Sequence, residues 1–526
     1  MNSLENLYVS NSKLQGKVPS FFGSMCRLQR LDLSNNRLHG KFPNFVQNSS
    51  WCSRHILRIG PNFPSWIQTQ NSLIQLDISD NGLNDFVPEW FWNKLQVLCT
   101  LNMSHNNLMG TIPNIQLKLR LRPSINLNSN KFEGKVPLYF LQASELLLST
   151  NKFSDFVCVN VTNTSLATLD LLNNQIKGQL PDCWKSVNGL LFLDLSSNQL
   201  SGKIPISMGT LVQLEALVLR NNNLTGELPS SLKNCNNLIM LDVSENMLSS
   251  SIPSWVGENI QQLIILIMRG NQFSGDIPLH LCYLKRIQLL DLSRNKMSQG
   301  IPTCLNNFTA LSQKGIDKGE TESRVHCFTR LELILQTIDL SSNNLTGEMP
   351  KEITHMLGLC SLNLSRNNLN GEIPSEIGNL SLLDSLDLSR NHFSRKISST
   401  LSNIDRLAML DLSKNHLSGR IPLGRQLQTF DSSSFEGNLD LCGKPLEKSC
   451  PGDETTIKSE GPEGRDEDDN SIFYGAFYMI LGLGFFIGFL GLLGPLLLWQ
   501  SWRVAYLMLL NRLIDYILDG NISKTP

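Results

Sequence analysis

Nothing constrains this chain more than one pattern that returns down most of its length. It reads L-x-x-L-x-L-x-x-N-x-L-x-G-x-I-P, as in LQRLDLSNNRLHGKFP from Leu28 to Pro43. The anchor asparagines are Asn36, Asn81, Asn106, Asn130, Asn151, Asn174, Asn198, Asn222, Asn246, Asn271, Asn295, Asn343, Asn367, Asn391 and Asn415, mostly 24 residues apart. A fixed period of this length marks a solenoid, in which each unit packs only on its neighbours. The leucines of L-x-L alternate, so an extended strand sends both to one face. One strand per unit, stacked in parallel about 4.8 Å apart, makes a single sheet with its leucines forming the core. The asparagine sits where the chain turns inward. A buried amide there bonds the backbone of adjoining turns, and leaving it unpaired costs about 1–3 kcal/mol. The asparagines are therefore structural, with no binding role.

The opening residues Leu4 to Pro19 are in phase, with Ser12 at the asparagine position, and a weak unit fits around His55 to Pro64. Including both, the pattern predicts about 17 units. Its rhythm fails between Asn295 and Asn343, where the polar stretch Lys314 to Arg330 is expected to leave the sheet. Cys442 and Cys450 follow the last unit, where a bare core edge needs covering. A disulfide between them is expected, and it implies oxidising surroundings. No apolar leader precedes the first unit and its core edge is uncapped, so a natural start upstream of Met1 is expected.

After the cap, GDETTIKSEGPEGRDEDDN is too polar to pack. From Ile472 to Leu498 there is no charged residue. As a helix that stretch is about 40 Å long, more than the roughly 30 Å hydrocarbon core of a bilayer. Arg503 and Arg512 follow it and the acidic run Asp466 to Asp469 precedes it. The C-terminus is therefore expected in the cytoplasm and the repeats outside, as in a single-pass type I protein of the plasma membrane. The sequons Asn48, Asn102, Asn160, Asn163, Asn223, Asn307, Asn344, Asn363 and Asn379 agree with that topology. Within the span, Gly484 and Gly488 make a small-residue face for another helix. The expected organisation is repeats over 1–303, an insertion over 304–335, repeats over 336–423 and a cap over 424–451. An acidic linker (452–470), a transmembrane helix (471–499) and a short tail (500–526) complete it.

A net charge of -1 argues against a nucleic-acid partner. No catalytic motif is present, and the aspartates of L-D-L-S recur because the unit does, so an enzyme is not expected, nor a cofactor or metal. The residues just before the anchors include Glu245, Arg294, Arg366, Arg390 and Lys414, on the open inner surface. They are the candidate contacts for an extended peptide, protein or acidic glycan. The alternative is that these charges satisfy one another in water.

The repeat, its interruption, LCGKPLEKSC, the acidic stretch, the span and a tail beginning SWRVAY together resemble plant leucine-rich-repeat receptor-like proteins, most of all the group that includes the fungal-xylanase receptors. The resemblance implies a leucine-rich-repeat solenoid with a parallel sheet inside and short 3-10 or irregular segments outside. It implies a kinase-lacking cell-surface receptor in defence. An adaptor receptor kinase would meet Gly484 and Gly488, and a co-receptor kinase would meet the repeats anchored at Asn343 to Asn415. A developmental peptide co-receptor, a polygalacturonase-type cell-wall enzyme inhibitor and an inactive decoy fragment remain alternatives.

Overall fold

The computed structural model describes residues 4–12, 15–16, 28–38, 40–41, 58–59, 62–157, 164–312, 336–424 and 426–451. Within them, sixteen strands from Asn6–Tyr8 to Met409–Asp411 pair in parallel, in chain order, as one sheet. Register is constant, with core leucine opposite core leucine from Leu169 through Leu193, Leu217 and Leu241 to Leu266. All five are fully buried. Each such side chain contributes about 1.5–3 kcal/mol by leaving water, so the leucine period fixes the register. Phe132, Phe153, Phe273 and Phe393, each two residues after an anchor, fill the layer behind and are likewise buried.

The opposite side is closed by short 3-10 segments such as Ile206–Thr210, Ser230–Asn234 and Leu279–Tyr283. Each follows the proline of I-P or L-P in extended conformation, Pro205, Pro229 and Pro278. Proline removes a donor that a first helical turn would leave unpaired, and its fixed φ starts the turn.

Four features differ from the sequence expectation. The weak unit around His55 to Pro64 supplies no strand to the main sheet, because Arg30–Asp32 pairs directly with Gln75–Asp77. Instead Arg58–Ile59 pairs antiparallel with Gly40–Lys41. A second parallel sheet, eight strands from Lys177–Gln179 to Asn368–Asn370, is formed as well, whereas the repeat pattern predicted one strand per unit in a single sheet. Gly202 and Gly226 end two of its strands at φ 75 and 82, a conformation that side chains resist. The interruption begins later than Cys304, because Leu305, Phe308 and Leu311 are core and a short helix runs over Thr309–Ser312. Leu289–Asp291 then pairs directly with Thr337–Asp339, so the sheet crosses the interval without losing a strand. Finally, Asn438 continues the anchor column into the cap, donating to Leu412 O at 3.0 Å and Phe435 O at 2.9 Å.

Residues 313–335 and everything after Pro451 lie outside the described residues, as do the expected linker, the span, Gly484 and Gly488. Among the described residues no helix is long and apolar enough to cross a membrane.

Candidate ligand-binding face

The anchor asparagines hold the turn that shapes this face. Asn246 Nδ2 lies 3.0 Å from Leu219 O on the preceding unit, and 3.1 and 3.0 Å from Val243 O and Ser244 O on its own. Its Oδ1 accepts the Leu224 amide at 3.0 Å. To bring that amide inward, the residue before each anchor adopts a left-handed backbone. The φ angles are 50 at Glu245, 53 at Arg294, 55 at Arg366, 54 at Arg390 and 56 at Lys414. That conformation costs an L-residue about 1–2 kcal/mol, which the asparagine bonds offset.

The five candidate contacts separate into two groups. Glu245 is bridged by Arg269 at 3.5 Å and approached by Arg294 at 4.0 Å. Gly270, the intervening residue in the column, makes this possible, because a Cβ there would come within 2.7 Å of the Glu245 carboxylate. These charges satisfy one another. Arg366, Arg390 and Lys414 are exposed, occupy three consecutive units, and have no ion pair among the described residues.

The recurring aspartates are partly committed to structure. Asp194, Asp242 and Asp291 accept the amides of Ser196, Ser244 and Ser293 at 2.8, 2.9 and 3.0 Å through one carboxylate oxygen. Loss of hydration pushes Asp194 up to about 7, aided by the Asp170 and Asp242 carboxylates and opposed by Ser196. The same desolvation raises Asp242 and Asp291 above the usual carboxylate range.

Sequence reasoning missed an apolar cluster on this face, separate from the leucine core. It contains Ala216, Val218, Met240, Ile265 and Leu289, with Phe192 and Ile267 packed against it. The signal was available in the non-core positions of five successive strands, FLD, ALV, MLD, ILI and LLD. In Thr337–Asp339, Ser361–Asn363 and Ser385–Asp387 the same positions are polar, before Met409 opens the last strand.

The sequons divide by place. Asn223, Asn307, Asn344 and Asn379 are exposed. Asn102 and Asn363 instead occupy the aspartate position of the strand, where each Oδ1 accepts the amide and hydroxyl of a serine two residues on. Asn48, Asn160 and Asn163 lie outside the described residues. The structure joins Cys442 to Cys450, with Cα atoms 5.1 Å apart. It also joins Cys282 to Cys304 on successive 3-10 segments, a pair that sequence reading did not single out although both cysteines sit on the outer segment of adjoining units. Trp184 is buried in the core, whereas Tyr283 is half exposed beside His280. Among the described residues no three His, Cys, Asp or Glu converge as metal ligands.

Models of the Leucine rich repeat family match residues 334–393 and, separately, 3–25, 27–49, 72–94, 97–118, 189–211 and 213–235. Over 487 residues the chain is 44% identical to Receptor-like protein EIX2 of Solanum lycopersicum, covering 87% of this chain and 47% of that protein. This chain is a homologue of the plant leucine-rich-repeat receptor-like proteins. It is also 42% identical to Receptor-like protein EIX1 of the same plant, over 86% of this chain and 47% of that protein. It thus spans about half the length of the curated relatives it matches. Among solved structures, the Arabidopsis receptor kinase HAESA with the peptide hormone IDA and co-receptor SERK1 superposes with a TM-score of 0.61. That match has 28% identity and covers 85% of this chain and 76% of HAESA. PEPR1 bound to AtPEP1 gives 0.62 and 27%, covering 84% and 63%. The homologue's relatives are receptor-like proteins rather than enzymes.

Proposed function

We propose that the chain is a cell-surface receptor that binds an extracellular peptide or protein on the open face of its sheet and signals in defence through partner receptor kinases. The observation that carries this reading is the change of chemistry along one uninterrupted sheet. The first residue of each strand is apolar from Phe192 to Leu289, then polar at Thr337, Ser361 and Ser385, and the exposed Arg366, Arg390 and Lys414 have no ion pair among the described residues. A solenoid needs leucines and asparagines to stand; it does not need that change. The likeness to EIX2 and EIX1 supports the receptor reading.

The span from Ile472 to Leu498 tethers the repeats outside the cell, and Gly484 and Gly488 give an adaptor kinase a close helix approach. A co-receptor kinase meets the last four units. The exposed sequons Asn223 and Asn344 on the second sheet and Asn307 and Asn379 on the outer segments are the sites for glycans.

Two experiments test this. Protease treatment of intact cells displaying the full chain is expected to cut the repeats, and sparing them would overturn the topology. Co-precipitation with an adaptor receptor kinase is expected to fall when Gly484 and Gly488 are both replaced by Leu, and equal recovery would remove the helix contact. The HAESA complexes with a peptide hormone among the structural neighbours favour a second reading, a developmental peptide co-receptor. Loss-of-function plants separate the two, by altered growth or by altered response to microbes.

A further inference from the structure

The unit anchored at Asn391 and the one anchored at Asn415 each place a histidine directly after the anchor. His392 Nδ1 lies 3.4 Å from His416 Nε2, with ring planes 13° apart and ring centres separated by 5.5 Å. The nitrogens are closer than the ring centres, so the imidazoles meet nitrogen to nitrogen, edge to edge. Such a contact is stable only with an N–H on one side and a lone pair on the other. Two fully protonated rings would present donors to each other and need an acceptor from elsewhere.

The surroundings make that acceptor an anion. On the same turns lie the exposed Arg390 and Lys414, and Arg366 is one unit earlier. The backbone stacks them directly, since the Asn367 amide donates to Arg390 O at 3.2 Å and the Asn391 amide to Lys414 O at 3.3 Å. Lys396 and Arg420 lie on the adjoining lateral strands. The neighbouring carboxylates are Asp387 and Asp411 on the sheet, Glu436, whose carbonyl accepts the Lys414 amide, and Asp440, paired opposite Ser418. Asp387 and Asp411 each hold a serine amide of their own turn, at 3.0 and 2.9 Å.

We propose that Arg366, Arg390, Lys414, His392 and His416 form one site for an extended peptide bearing carboxylates, and that the histidine pair makes its grip tighter as the medium becomes acidic. This rests on the receptor reading above and adds a ligand class and a regulator. At about 4.8 Å per unit the cation column spans about 10 Å, and side chains on one face of an extended peptide recur every 6–7 Å. Two neighbouring carboxylates therefore reach it together, and guanidinium-to-carboxylate bonds are strong because they are charge-assisted. Histidine charges between about pH 5 and 8. A bound carboxylate supplies the acceptor that two imidazolium groups require, so binding takes up protons, and by linkage affinity rises as pH falls.

The test uses the full chain in detergent micelles and a fluorescein-labelled hexaglutamate peptide, with hexaglutamine as control, read by anisotropy at pH 5.5 and 7.5. Binding is expected to be about fivefold tighter at pH 5.5, with the control not binding. The double variant His392→Gln with His416→Gln is expected to abolish that ratio. The triple variant Arg366→Gln, Arg390→Gln and Lys414→Gln is expected to lose at least tenfold at both pH values. All five side chains are exposed, and an unchanged melting curve confirms that each variant folds. A pH ratio that survives in the double variant overturns the histidine role; an unaffected triple variant overturns the site. Oligogalacturonate that binds there and is not displaced by hexaglutamate overturns the peptide class. None of these results bears on protease access or kinase recovery, so this site and the receptor reading fail separately.

Discussion

Replacing Asn246 separates the two roles of an anchor amide, donor and acceptor. Asn246→Ala removes three donated bonds and one accepted bond. The carbonyls are not left bare: Leu219 O keeps Asn222, Val243 O keeps Asn271, and Ser244 O keeps the Asn221 amide. The buried amide of Leu224 donates to Asn246 Oδ1. An orphaned buried donor costs about 1–3 kcal/mol, so with the lost net bonds the variant should lose about 2–4 kcal/mol. Asn246→Asp keeps the acceptor for Leu224 but turns a second carboxylate oxygen toward the same carbonyls, and at pH 7 it should cost more than alanine. That extra loss depends on pH. The new carboxyl would have a folded pKa above its unfolded value of about 3.9, so the penalty is complete above the folded pKa and vanishes as pH falls below the unfolded one. Urea unfolding by circular dichroism at pH 4 and 7, with hydrogen exchange at the Leu224 amide, measures both. An alanine variant within about 0.5 kcal/mol of the parent, or an aspartate variant milder than alanine at pH 7, would refute the ladder argument.

Other outcomes follow from single positions. Gly257→Ala should disrupt folding of its unit, because the new Cβ would sit 1.8 Å from His280 O, whereas Gly82→Asn, at φ 67 with open space around it, should shift the melting curve little. Leu266→Ala, at a fully buried core position, should cost about 2–5 kcal/mol in urea unfolding. Cys282→Ser opens a loop of 22 residues and should cost about 3 kcal/mol, with peptide mapping under non-reducing conditions showing whether the Cys282 to Cys304 link forms. Asp194, raised to about 7 by burial, binds its proton more tightly folded than unfolded, so its contribution to stability is present at low pH and lost as pH rises through 7. Asp194→Asn should flatten that slope in pH-dependent melting, and an unchanged slope would remove the burial argument.

The amino-acid sequence by itself determined the repeat, its register and the structural role of the asparagines, because these depend on contacts each unit makes with its immediate neighbours. Leu217 meets Leu241, and Asn246 meets Leu219, for the same reason at every step. Tertiary structure alone decided what depends on which units become adjacent. The weak unit near His55 could not be discounted until Leu31 was seen opposite Leu76. Glu245 and Arg294 looked like open ligand contacts until Gly270 was seen to let them approach. His392 and His416 are 24 residues apart in the chain, yet the solenoid turns that separation into a 3.4 Å contact. A period read along the chain specifies the backbone of a stacked fold, but the side chains on its surface acquire meaning only from the neighbour one turn away.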